Sequence, residues 1–173
     1  MPRFCALFIA ALLLASPAAA DTAVQCEILE NGEPASGTML VLSGDKEVAE
    51  GTCGKPLSLP EGSYTAVLRL DGAIDGPEQR VPLVVGKAAP KPIKVDFATG
   101  TLEVKVTSES KAAAGMAIIR RDGKQIGTLG SGVPAHLSAG TYDIEVRHRA
   151  SSKTLSAVVI AKGDKKSLEV SFP

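Results

Sequence analysis

The chain contains one block of sequence twice, and this limits what it can fold into. Leu59-Pro60-Glu61-Gly62-Ser63-Tyr64-Thr65-Ala66-Val67-Leu68 and Leu137-Ser138-Ala139-Gly140-Thr141-Tyr142-Asp143-Ile144-Glu145-Val146 share one design: a turn, a glycine, then an alternating run. In the second copy Tyr142, Ile144 and Val146 face one way and Asp143, Glu145 and Arg147 the other. That period of two marks a half-buried strand. Shifted by 78 positions, Cys26 falls on Val104, Gly37 on Gly115, Leu40 and Val41 on Ile118 and Ile119, and Gly62 and Tyr64 on Gly140 and Tyr142. The register holds from Ala23 to Asp71, after which the offset becomes 75, so the first copy holds three extra residues there. A repeat of this length means a duplicated structural unit.

The expected organisation is a signal peptide over 1–20, a first module over 21–97, joining residues 98–100 and a second module over 101–173. Arg3, the apolar run Phe4–Ala15 and the small residues Ala18 and Ala20 have the order of a secretory leader cut after Ala20. The apolar run is shorter than the roughly 20 residues a membrane span needs. The expected mature chain is exported and does not span a membrane; it is periplasmic, secreted or at the cell surface. It carries 18 basic and 19 acidic residues. That balance provides no footprint for nucleic acid. Ala98-Thr99-Gly100 reaches only about 10 Å, so the modules should touch or pivot closely.

Within the second module, Leu102–Thr107, Met116–Arg121, Gln125–Gly127, Val133–Leu137, Thr141–Arg149, Thr154–Ala161 and Lys166–Phe172 read as seven short strands. Met116–Arg121 is the central one, and Asp122-Gly123 is a hairpin turn. Glu109–Ala114 could pass for a helical turn, but its counterpart Asn31–Ser36 contains Gly and Pro, so both are read as loops. The expected fold is all-β, with two tandem seven-stranded β-sandwiches and no helix after the leader. Gly62 and Gly140 are expected to adopt φ > 0, and Tyr64 and Tyr142 to bury their rings and return their hydroxyls to nearby backbone.

Cys26 and Cys53 remain once Cys5 is removed with the leader. In an exported chain they read as one disulfide, worth roughly 3–4 kcal/mol by chain entropy. Free thiols or an intermolecular bridge are the alternatives.

Leu-x-x-Gly-x-Tyr, an alternating strand and a final strand ending Val-x-Phe (Val95-Asp96-Phe97, Val170-Ser171-Phe172) resemble the transthyretin-like or carboxypeptidase-regulatory-like β-sandwich superfamily. The resemblance implies an Ig-like or transthyretin-like sandwich and a role in contact with other molecules, and it implies no activity. The related collagen-adhesin B-type repeats often carry a Lys–Asn cross-link. Asn31 is the only asparagine, which excludes that bond from the second module.

The residues give little sign of catalysis. His136 and His148 both lie in the second module, where they align with Ser58 and Leu70. Such scarcity points to no metal site and no Ser–His–Asp triad. Ser131 lies between glycines in a loop and replaces Cys53. Asp71, Asp75 and Glu78 lack the spacing of a known Ca²⁺ loop, so they read as a solvated loop. No catalytic residue, metal or cofactor is expected. The expected role is a non-enzymatic envelope protein that contacts another envelope or surface protein. The alternative is a glycan or small-ligand binder in surface adhesion or motility.

Overall fold

A computed structural model describes residues 21–173, so the expected leader lies outside the described residues. The described chain is all-β. Its first half contains β1 (Thr22–Val24), β2 (Cys26–Glu30), β3 (Glu33–Ala35), β4 (Gly37–Ser43), β5 (Lys46–Thr52), β6 (Leu57–Leu59), β7 (Gly62–Leu70), β8 (Glu78–Val85) and β9 (Ile93–Phe97). The second contains β10 (Thr99–Ser108), β11 (Lys111–Ala112), β12 (Met116–Arg121), β13 (Lys124–Gly130), β14 (Ala135–Ser138), β15 (Gly140–His148), β16 (Ser151–Ile160) and β17 (Lys165–Phe172).

The two halves have matching topology. One four-stranded antiparallel sheet runs β5-β4-β7-β8 and the other β13-β12-β15-β16. Opposite them, β2 pairs in parallel with β9, and β10 pairs in parallel with β17. The copies even share a bulge: the register slips between Val41 and Leu42 and between Ile119 and Arg120. Between the sheets lie two separate apolar clusters. One centres on Ile28, Met39, Val41 and Leu68, the other on Leu102, Ile119, Leu137, Tyr142 and Ile144. Each fully buried side chain of this kind contributes roughly 1.5–3 kcal/mol. Such cores suit small modules with few aromatic residues.

Several sequence expectations change here, beginning with the strand count: the described halves hold nine and eight strands where seven each were expected. Residues 33–35 and 111–112 are short strands, not loops. Glu33–Ala35 pairs back on Ile28–Glu30, and Lys111–Ala112 on Thr107–Ser108. The reason is the turn: Asn31 and Gly32 have φ of 57° and 93°, which closes a two-residue hairpin. Gly62 and Gly140 are not among the positive-φ residues. A Cβ would meet only side chains there: at Gly62 it would lie 3.0 Å from the Tyr64 hydroxyl, and at Gly140 2.6 Å from the far end of the Arg121 side chain, Nη2. The join is also tighter than three free residues. Thr99 and Gly100 already belong to β10, paired with Ser138 and Leu137, and both are buried.

Candidate functional site: the junction between the two halves

The repeated tyrosines close the turns before β7 and β15. Tyr142 Oη donates to Ser138 O at 2.5 Å, and Tyr64 Oη to Pro60 O at 3.1 Å. Tyr142 is 1% exposed, and its phenol is pushed up to about 12, first by burial and then by the nearby Asp75 carboxylate. Cys26 and Cys53 are disulfide-bonded, with Cα atoms 4.8 Å apart. In the second half Val104 and Ser131 stand in their places. There Ser131 Oγ accepts a hydrogen bond from Val106 N at 2.9 Å. Cys53 N and Ser131 N donate to the equivalent carbonyls of Gly37 and Gly115.

The polar groups concentrate where the halves meet. Asn31, at the tip of the β2–β3 turn, holds Thr99 like a neighbouring strand: its Oδ1 accepts from Thr99 N at 3.0 Å and its Nδ2 donates to Thr99 O at 3.1 Å. Thr99 Oγ1 donates to Glu30 Oε1 at 2.5 Å, and His136 Nδ1 lies 3.2 Å from the same oxygen. Burial raises the Glu30 pKa, but the Thr99 and His136 contacts outweigh it, and the carboxyl sits below its usual range. Asp96 accepts from Gly32 N at 2.9 Å and pairs with Lys162 at 3.1 Å. The Gly32 bond first, and then Lys162, hold its pKa low. A cleft of about 240 Å³ lies over this cluster, lined by Glu30, Asn31, Glu33, Thr99, His136 and Asp164 among others.

On another part of the junction, the three-residue-longer loop of the first half crosses to the second. Ile74 packs against the second core, and its N–H donates to His136 O at 2.9 Å. The Asp75 carboxylate accepts from Ser138 N at 3.1 Å, and its side chain is only 6% exposed. The expectation of a solvated loop at 71–78 is therefore corrected: Asp75 is sequestered by the second half. Glu78, at the far end of the loop, pairs outside with Arg69 and Arg80.

The arrangement binds the halves together and is not organised for proton transfer. Glu30 and His136 make a His–carboxylate pair, but the hydroxyl beside them, Thr99, is 1% exposed and donates to the carboxylate, not to the imidazole. His148 lies elsewhere, with Nδ1 2.6 Å from Ala114 O and Nε2 buried without a partner. Among the described residues no group of three or more His, Cys, Asp or Glu is placed to hold a metal ion. Arg147 and Arg120 both meet Glu145, at 2.7 and 3.1 Å, and together they hold its pKa low. Sequence reading missed Glu30, Asn31, Thr99, Ile74 and Arg121 as junction residues.

No family model matches the chain, and no curated protein matches it. Solved structures resemble it at low identity, three of them as follows. The Bacillus anthracis TIE protein has 15% identity and a TM-score of 0.35, over 87% of this chain and 34% of that one. A leucine-rich repeat protein from Bacteroides thetaiotaomicron has 14% and 0.33, over 89% and 26%. A candidate adhesin from Bacteroides ovatus has 10% and 0.44, over 79% and 76%. The chain spans about a third and about a quarter of the length of the first two.

Proposed function

We propose that this is a non-enzymatic, exported envelope protein of two duplicated β-sandwich modules, 21–97 and 101–173, which works by contact with another envelope or surface protein. The observation that carries the reading is a duplicated open edge. Each four-stranded sheet ends in a long strand, β8 or β16, paired on one side only among the described residues. Both expose a valine at the same repeat position, Val84 at 71% and Val159 at 54%. Edge strands of this kind accept a partner strand by backbone pairing.

Other features support it. The disulfide suits an oxidising compartment. The residues best able to do chemistry are engaged in holding the halves together. The aromatic residues favour a protein partner over a glycan: Phe97, Phe172 and Tyr142 are buried, and Tyr64 is bonded back to Pro60. Immobilised native chain should capture a partner from envelope extract, and the double variant Val84→Lys, Val159→Lys should capture at least tenfold less. No capture, or equal capture by the variant, would sink the reading.

A further inference from the structure

The crossing loop does more than touch the second half; it bridges onto the edge of a sheet. Strand β14 pairs with β10 along one edge, and residues 73–75 occupy the other. Ala73 bridges His136 in parallel, Ile74 N donates to His136 O at 2.9 Å, and Asp75 accepts from Ser138 N. Two successive outward-facing backbone groups of β14 are thus taken by a segment from the first half.

The side chains are selected as well. Ile74 packs against the second core beside Gly127, where a Cβ would lie 3.0 Å from Ile74 Cδ1. Asp75 lies 4.0 Å from Arg121 Nη1. Arg121 in turn reaches Ala139 O at 3.4 Å and stands over the Tyr142 ring. The repeat provides the control. Where the second half has Gly127, His136, Ser138 and Arg121, the first has Ala49, Ser58, Pro60 and Ser43. Pro60 has no N–H to give a carboxylate, and Ala49 would fill the gap that Gly127 leaves. The turn equivalent to the crossing loop, between β15 and β16, is only Arg149-Ala150. Loop and receptor therefore depart from the repeat together.

We propose that the outer edge of β14 is a strand-accepting groove that selects an apolar residue followed by a carboxylate. Residues 73–75 keep it shut in cis, and an extended partner segment of the same pattern opens it by displacing them. This deepens the protein-contact reading by giving one partner its chemistry. Exchange of like for like needs no new fold. Backbone pairing supplies affinity, and the Ile74 and Asp75 sites supply specificity.

The probe is a labelled peptide with the sequence of residues 71–78, titrated by fluorescence anisotropy. A full chain lacking residues 73–75 should bind it at least tenfold more tightly than the native full chain, in which the cis segment competes and must be displaced. A peptide with aspartate in place of the Ile74 residue should bind the deletion chain at least tenfold more weakly. A folded deletion chain that ignores the peptide, or a native chain that binds it equally well, overturns the proposal. Hydrogen exchange covers a deletion chain that fails to fold. In full-length Asp75→Ala, the Ile74 and Ser138 amides should exchange at least tenfold faster while those of β12 keep their protection; unchanged protection at both overturns it. Because the probe is the chain's own segment, a failed capture from envelope extract leaves this result interpretable, and a failed peptide titration leaves the β8 and β16 edges untouched.

Discussion

Tyr142 shows how a single residue ties sequence to fold. Its ring fills the second core and its hydroxyl closes the turn at Ser138. Tyr142→Phe should cost about 1–2 kcal/mol by denaturant unfolding, since it leaves a part-buried carbonyl short of a donor. Tyr64→Phe should cost less, because the Tyr64 bond is exposed. The sign of the pH effect follows from the raised phenol. The fold favours the neutral form, so the stabilisation is fully present below about pH 10 and is lost as pH rises through about 12. An absorbance titration should show one of the two tyrosines ionising only near that upper value. The return of the hydroxyl to backbone was legible because it occurs twice, but the Tyr64 ring, expected to be buried, is only partly so. The glycines were legible in place but not in cause: spacing marks Gly62 and Gly140, yet neither has positive φ, and a Cβ there would press only on the Tyr64 ring or the end of the Arg121 side chain. Gly37 is constrained far more severely, since a Cβ there would fall 2.2 Å from Arg69 O. Gly37→Ala should destabilise by about 3 kcal/mol, because the obstacle is backbone and cannot swing away.

Elements were easier to read than their edges. The alternating strands followed from hydrophobic period, because a sheet with one wet face imposes that period, and the central place of β12 followed from its mostly apolar run. Strands β3 and β11 were misread because three- and two-residue strands carry no period. The sign lay in the turn, Asn31-Gly32, rather than in the flanking residues. The same pairing of copies predicts how best to replace the disulfide. The second half meets the same geometry with Val104 and Ser131, the serine accepting from Val106 N. Cys26→Val with Cys53→Ser should therefore retain more stability than the double alanine variant. Both should fall below the native chain by up to roughly 3–4 kcal/mol, the loop-closure contribution. Thermal melts of the three chains in non-reducing buffer check the order; an alanine pair as stable as the valine–serine pair would contradict it.

At the scale of the whole molecule, the junction decides whether two modules behave as one body. The repeat pointed to the matching topology of the two halves, and the change of offset to three extra residues in the first. Neither could show that those residues cross to the other copy, because Ile74 and Asp75 meet residues as far as 63 positions away in sequence. The only trace was negative: Gly127, His136 and Ser138 break the repeat where the loop lands. Asn31 tests the coupling most directly, since it satisfies both backbone groups of Thr99. Asn31→Asp keeps the acceptor for Thr99 N but turns the donor facing Thr99 O into a second acceptor. It should cost more than Asn31→Ala, by about 1–3 kcal/mol. Loss falling on the coupling should split one calorimetric transition into two, because each module has its own core. Glu30 adds a pH arm. Its carboxyl is held low in the folded chain, so its contribution is present above the unfolded glutamate range, near pH 4.3, and is lost as pH falls through the lower folded value. The difference in stability between native chain and Glu30→Gln should thus be full at pH 6 and vanish in stronger acid. A difference that stays constant from pH 6 down to 3 would show that Glu30 holds Thr99 and His136 by shape rather than by charge.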